Sequence, residues 1–144
     1  MIKAGFARVD VTPPLGSPLA GYFYDRFAIG VLDPIELNAL AFSNGVSTAL
    51  IIASDFIGIN MEHGDAVRAL ISERTGIPAD KIMICCLHPH TSLRIGGAGT
   101  AELKDQNYLD LLYRKYSDVA QMAIDDMSEA KVGTAERQAI KEIA

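Results

Sequence analysis

Two apolar runs, Ile35–Phe42 and Thr48–Ile59, flank the tripeptide Ser43-Asn44-Gly45. Asn-Gly supplies the positive φ values that a tight hairpin turn requires, so the runs predict an antiparallel pair of strands. In the second run Ala49–Ala53 is apolar at every position, and polar Ser54 and Asp55 follow it. A strand without polar alternation is expected to be covered on both faces, as a central strand of a sheet is.

The remaining elements arrange themselves around that pair. Ala4–Thr12 alternates Phe6, Arg8 and Asp10 against Ala7, Val9 and Val11, the pattern of a half-buried strand. Pro13-Pro14 stops it, because proline has no N–H for a ladder. Residues 13–34 carry Tyr22, Phe23, Tyr24 and Phe27 without a helical period. They predict a long ordered loop, a feature that tends to be functional or to cover something. Met61, Ala66, Val67, Leu70 and Ile71 recur at helical spacing over Met61–Thr75, with Asn60 as N-cap and Gly76 and Pro78 as the stop. Lys81–Leu87 reads as another buried strand. Gln106–Met127 reads as a second helix, its Leu109, Leu112, Tyr116, Val119, Ala123 and Met127 facing the core. A short strand over Ala130–Thr134 and a charged stretch complete the chain. This order predicts an α/β fold, a mixed sheet with at least two packed helices. Residues 1–144 form one domain or the N-terminal portion of a larger one.

Composition narrows the function classes. The 144 residues are 49% hydrophobic and 22% charged, a globular rather than a disordered balance. Thirteen Lys and Arg against eighteen Asp and Glu give a net charge of −5, and no basic patch is visible that would neutralise a run of phosphates. Nucleic acid is therefore not an expected partner. No apolar run approaches the roughly 20 residues of a bilayer span, and the N-terminus lacks a signal-peptide pattern. A cytoplasmic chain is expected. Cys85 and Cys86 are adjacent, so a bridge between them would be strained, and reduced thiols suit that compartment.

The residues with the most chemistry follow the Lys81–Leu87 strand. In extended backbone His88 and His90 would project to one side and converge on a single cation. The carboxyl end of a strand in an α/β sheet is also where ligands bind. Asp55, at the end of the neighbouring strand, is a candidate ligand, base or support for a ligand, and equally a cap on the following turn. His63, in the first turn of the first helix, reads more simply as a surface histidine. Thr91 and Ser92 offer hydroxyls, without a Gly-x-Ser-x-Gly elbow. Arg94 is a candidate anion clamp or a solvated surface residue. The Gly96–Gly99 run offers backbone N–H groups but lacks the Lys-Ser/Thr of a phosphate loop, which favours a plain turn. Cys85 and Cys86 read as core.

Read together, Ala4–Gly16 (AGFARVDVTPPLG) and Leu19–Tyr22 (LAGY) resemble the opening of the neutral/alkaline ceramidase superfamily. The matches continue in order: Asp33-Pro34 with Leu37–Phe42, then Ala49–Gly58, then Glu73–Pro78 followed by Lys81–Leu87 and His88-Pro89-His90, which resembles that family's His-Thr-His-Ser-Gly-Pro motif. The resemblance implies a zinc-dependent amidase that cleaves the amide of ceramide-like lipids. By the same resemblance His88 is the metal ligand, and His90 contacts the substrate or transition state. The resemblance also implies that Tyr22 and the rest of loop 13–34 lie near the site rim; Thr91 and Arg94, next to the histidines in sequence, are the candidate substrate-binding residues beside it.

Two departures stand out. Proline replaces the motif's middle threonine, and the trailing Ser-Gly-Pro is not kept. The family's catalytic domain is also several hundred residues long, so its other zinc ligands fall beyond the matched region and about the first third is represented. Three readings follow: a metal-dependent hydrolase whose site is completed from outside this chain, a shortened relative that binds a ligand or partner without catalysis, or a piece of a longer enzyme. A short form would expose sheet edges, for which a homo-oligomer is the simplest cover.

Overall fold

A computed structural model describes residues 1–96, 103 and 105–136. The chain opens with β1 (Ile2–Asp10), crosses the two-residue strands β2 (Pro18–Leu19) and β3 (Arg26–Phe27), and enters β4 (Glu36–Ser43) and β5 (Thr48–Ser54). The short β6 (Gly58–Ile59) leads into helix α1 (Met61–Thr75), and a 3-10 turn at Ala79–Lys81 enters β7 (Ile82–Cys86). The two-residue β8 (Arg94–Ile95), helix α2 (Gln106–Asp125) and β9 (Ser128–Ala130) follow.

The expected hairpin is present. Asn44 Oδ1 accepts the N–H groups of Val46 and Ser47 at 3.0 and 2.9 Å, Gly45 takes φ +87°, and Ser43 pairs with Thr48. The five long strands form one sheet in the order β7-β5-β4-β1-β9. Only β5 and β7 are parallel, as two strands joined through a helix must be to share a direction; the other neighbours are antiparallel. The fold is thus the mixed sheet with two helices that the sequence predicts.

Both helices begin and end for local reasons. Asn60 caps α1 by accepting the His63 N–H at 3.0 Å, and Gly76, at φ +73°, closes it by donating its N–H to the Ser72 carbonyl. Asp105 caps α2 by accepting the Tyr108 N–H at 3.1 Å. Helix α2 stops two residues before the sequence expects, and β9 falls at Ser128–Ala130 rather than Ala130–Thr134. The cause is Asp126, whose carboxylate takes the Phe6 N–H of β1 at 2.9 Å and turns the chain there, so that Ser128 pairs with Ala4.

The core lies between one sheet face and the helices. Leu37, Ala39, Ala41, Leu50 and Ile52 meet Val67 and Ile71 of α1 and Leu112, Tyr116, Val119 and Ala123 of α2, all buried. Helix α2 approaches β1 so closely that a Cβ on Gly5 would stand 2.2 Å from the Ala123 carbonyl oxygen. Tyr116, fully buried, shares a 2.8 Å hydrogen bond with Ser54 at the end of β5.

The other sheet face departs from expectation. Register places Phe6, Leu40, Phe42, Ala49, Ile51, Ala53 and Met83 on it. No helix of the described residues covers it, so β5 is central in the sheet yet buried on one side only.

Candidate functional site

Parallel β5 and β7 end side by side, and the chain stays stitched together beyond them. Leu87 donates its N–H to the Ser54 carbonyl at 3.0 Å and His88 to the Phe56 carbonyl at 3.1 Å. His88 then takes φ +64°, the one non-glycine residue with positive φ among those described. A residue before proline ordinarily stays extended, so this backbone is unusual twice over. Its Nδ1 lies 2.6 Å from the Ile57 carbonyl oxygen. A carbonyl only accepts, so Nδ1 carries the proton and the neutral imidazole keeps its lone pair on Nε2.

The two histidine rings meet, though not along an extended strand. Their centroids are 5.3 Å apart with the planes at 63°. Tyr22 stands edge-on to His90 at 6.0 Å, beneath the Arg26 guanidinium, which lies 4.0 Å from its ring centroid. Loop 13–34 reaches this rim because β2 and β3 pair within it and Ala20 donates its N–H to the Ser92 carbonyl at 2.9 Å. Gly21, at φ +97°, makes the approach possible: a Cβ there would sit 2.6 Å from His90 Cγ and 2.9 Å from Ile57 Cδ1.

The other sequence candidates are spread around this centre. Thr91 is exposed in the turn after His90, and Arg94 is exposed in β8, which pairs with β6. Asp55 Oδ2 accepts the Glu36 N–H at 3.0 Å, tying the end of β5 to the start of β4. Burial pushes the Cys86 thiol up, with Cys85 beside it adding to the effect, so Cys86 behaves as a packed, protonated group. Of the Gly96–Gly99 run only Gly96 is among the described residues, with φ +71°.

Sequence reading named His63 and Ser92 without their surroundings, and it missed the Tyr113 hydroxyl and the Ile57 carbonyl. His63 hydrogen-bonds through Nδ1 to the Tyr113 hydroxyl of α2, and a Cβ on Gly96 would strike its ring. Burial first, then the Glu62 and Asp110 carboxylates, push the Tyr113 phenol up and keep it protonated. The Ile57 carbonyl that orients His88 is a backbone group and leaves no sequence signal. Ser92 is buried, and its hydroxyl has no partner among the described residues. Gly21, by contrast, stood in the sequence inside the quoted Leu19–Tyr22 segment.

Two surface cavities lie elsewhere, one of about 590 Å³ between α1 and α2 beside Arg74 and Asp118, the other of about 520 Å³ beside Asp10, Tyr108 and Lys115. No group of three His, Cys, Asp or Glu side chains among the described residues is placed to hold a metal ion. No described helix is long and apolar enough to cross a membrane.

No protein-family model and no curated protein matches the chain. Solved structures do. The neutral ceramidase from Pseudomonas aeruginosa superposes with a TM-score of 0.71 at 13% identity, over 88% of this chain and 22% of that one. A ceramidase complexed with C2 gives 0.69 at 13% identity, over 88% of this chain and 21% of that one. The fold is therefore that of a region of neutral ceramidases, as the sequence resemblance implied. The chain spans about a fifth of the length of these structures.

Proposed function

We propose that this chain belongs to a ceramidase-like, zinc-dependent hydrolase acting on the amide bond of a ceramide-like lipid or a related small amide. His88 is the metal ligand in this reading, and His90 and Tyr22 face the substrate. The observation that carries it is the state of His88. A position that only turned the chain would suit glycine, whereas a side chain held at φ +64° carries strain on the order of 1–3 kcal/mol. Its Nδ1–H is spent on a backbone carbonyl and Nε2 is left with a lone pair, the orientation that metal-ligating histidines adopt. The fold likeness to neutral ceramidases supports the same assignment.

Zinc catalysis uses three protein ligands and one open position. His88 fits as one of the three, and the described residues do not furnish the set, so the remaining ligands come from outside them. Bound zinc supplies a polarised carbonyl and a water of lowered pKa. The chain's own residues do the positioning. His90 stands 5.3 Å from His88, ring to ring, close enough for both to touch one substrate. Tyr22, clamped under Arg26, walls that side, and Asp55 anchors the end of β5 through Glu36. Thr91 and Arg94 are left for polar parts of the substrate.

A second reading, a relative that binds a partner without catalysis, draws support from the uncovered sheet face. One comparison separates them. In the hydrolase reading the chain, joined by the segment or partner that supplies the remaining ligands, retains zinc through desalting, and His88→Gln loses it. His90→Gln retains zinc but loses turnover of a fluorescent short-chain N-acylsphingosine. Zinc content unchanged by His88→Gln overturns the assignment.

A further inference from the structure

We infer that Tyr116 of α2 is a positioning residue for His88, its hydroxyl acting through Ser54 on the stretch that aims the imidazole. The inference deepens the reading of His88 as a metal ligand and rests on it for its catalytic meaning. The hydrogen bonds that place His88 run to one stretch, residues 54–57. The Ser54 carbonyl takes the Leu87 N–H at 3.0 Å, the Phe56 carbonyl takes the His88 N–H at 3.1 Å, and the Ile57 carbonyl takes Nδ1–H at 2.6 Å. His88 itself is exposed, so these bonds rather than surrounding core set its direction.

Three directed ties hold the stretch in turn. Asp55 exchanges hydrogen bonds with Glu36, donating its N–H at 3.1 Å and accepting the Glu36 N–H at 3.0 Å. Ile57 donates its N–H to the Leu93 carbonyl at 2.9 Å. These two reach a strand end and a loop. The third reaches the core: Ser54 Oγ and the Tyr116 hydroxyl share a bond of 2.8 Å, and both residues are 0% exposed. Helix α2 is a firm reference for it, since Gly5 seats the helix on β1 and Asp126 binds the Phe6 N–H.

Two buried hydroxyls are an indirect way to stabilise a core. Each loses its water, and an Ala–Phe pair of similar shape would pack there at near-equal stability. Burial pushes the Tyr116 phenol up, so it stays neutral and adds no charge attraction. What the pair adds is direction, because a hydrogen bond fixes distance and angle whereas apolar contact does neither.

Side-chain 15N NMR of the 144-residue chain tests this at about pH 8.5, where an ordinary imidazole is neutral. In the wild type the two His88 ring nitrogens are expected far apart in shift, as a single Nδ1–H tautomer requires. Tyr116→Phe and Ser54→Ala are each expected to loosen the bond to Ile57, so that the tautomers exchange and the two shifts converge. The double variant leaves no hydroxyl orphaned, so its urea midpoint is expected to recover toward wild type while the His88 shifts stay converged. Val119→Ala, which trims a buried side chain on the same helix, lowers the midpoint and leaves the His88 shifts apart. The proposal is overturned by wild-type His88 shifts in the double variant, or by convergence in Val119→Ala as large as in Tyr116→Phe. The measurement uses no metal, so its failure is distinct from failure of the hydrolase reading, which zinc retention decides.

Discussion

At the scale of single residues, His88 carries the most information. Its left-handed backbone costs energy that glycine would not incur, since a Cβ crowds the following carbonyl by about 1–2 kcal/mol. His88→Gly and His88→Ala lose the same bond to Ile57, so they differ only in backbone strain and chain entropy. His88→Gly is expected to be more stable than His88→Ala by about 1 kcal/mol, read from urea midpoints. Equal midpoints would mean that φ at this position is not held positive. Asp10 offers a pH test. Hydrogen bonds from Thr12, including its N–H at 2.7 Å, hold the Asp10 carboxyl below the usual range. A group with a depressed folded pKa stabilises fully above its unfolded value, about 3.9, and loses that contribution as pH falls through the folded value. Wild type is therefore expected to exceed Asp10→Asn in stability at pH 6, with the gap closing below pH ~4. The gap is small because Asp10 is exposed. A gap that widened on acidification would contradict the sign. The His88–His90 pairing was legible as spacing, but the path to it was not. Extended geometry brings residues i and i+2 to one side, whereas the chain achieves proximity through a turn pinned by Ile57, which spacing does not reveal.

At the scale of elements, legibility follows how local the causes are. The limits of α1 could be read from Asn60 and Gly76 because both caps act within one turn of the helix. The end of α2 could not, because it is set by a bond from Asp126 to Phe6, 120 residues away in sequence. The same distance hides the role of Gly5. As a residue in an alternating strand it looks like a weak choice, yet it is where α2 touches the sheet backbone to backbone. A Cβ 2.2 Å from the Ala123 carbonyl oxygen and 2.6 Å from the Met127 nitrogen meets main chain, which cannot rotate away. Gly5→Ala is therefore expected to push α2 off β1 and destabilise the fold by about 1–3 kcal/mol, Gly5→Val by more. Denaturation midpoints check this, with Gly45→Ala and Gly133→Ala as references. Nothing lies within 4 Å of a Cβ at either reference position, and only Gly45 carries a positive φ. Gly5→Ala with full stability would show that the helix sits farther out.

At the scale of the whole molecule, the sheet is ordered by contacts that sequence proximity does not suggest. The first strand lies between the fourth and the last, and the hairpin supplies only the β4–β5 step. That order grades stability across the sheet. β4 and β5 are hydrogen-bonded on both sides and back onto buried Leu37, Leu50 and Ile52, so opening them means losing the core. β9 is three residues long, pairs with β1 alone and has no buried side chain. Hydrogen exchange is expected to find the amides of Leu40, Ala41, Ile51 and Ile52 opening only with global unfolding, and those of Ser128–Ala130 opening locally with a much smaller free energy. Equal protection for β9 and β5 in the dilute chain would contradict this order of stability.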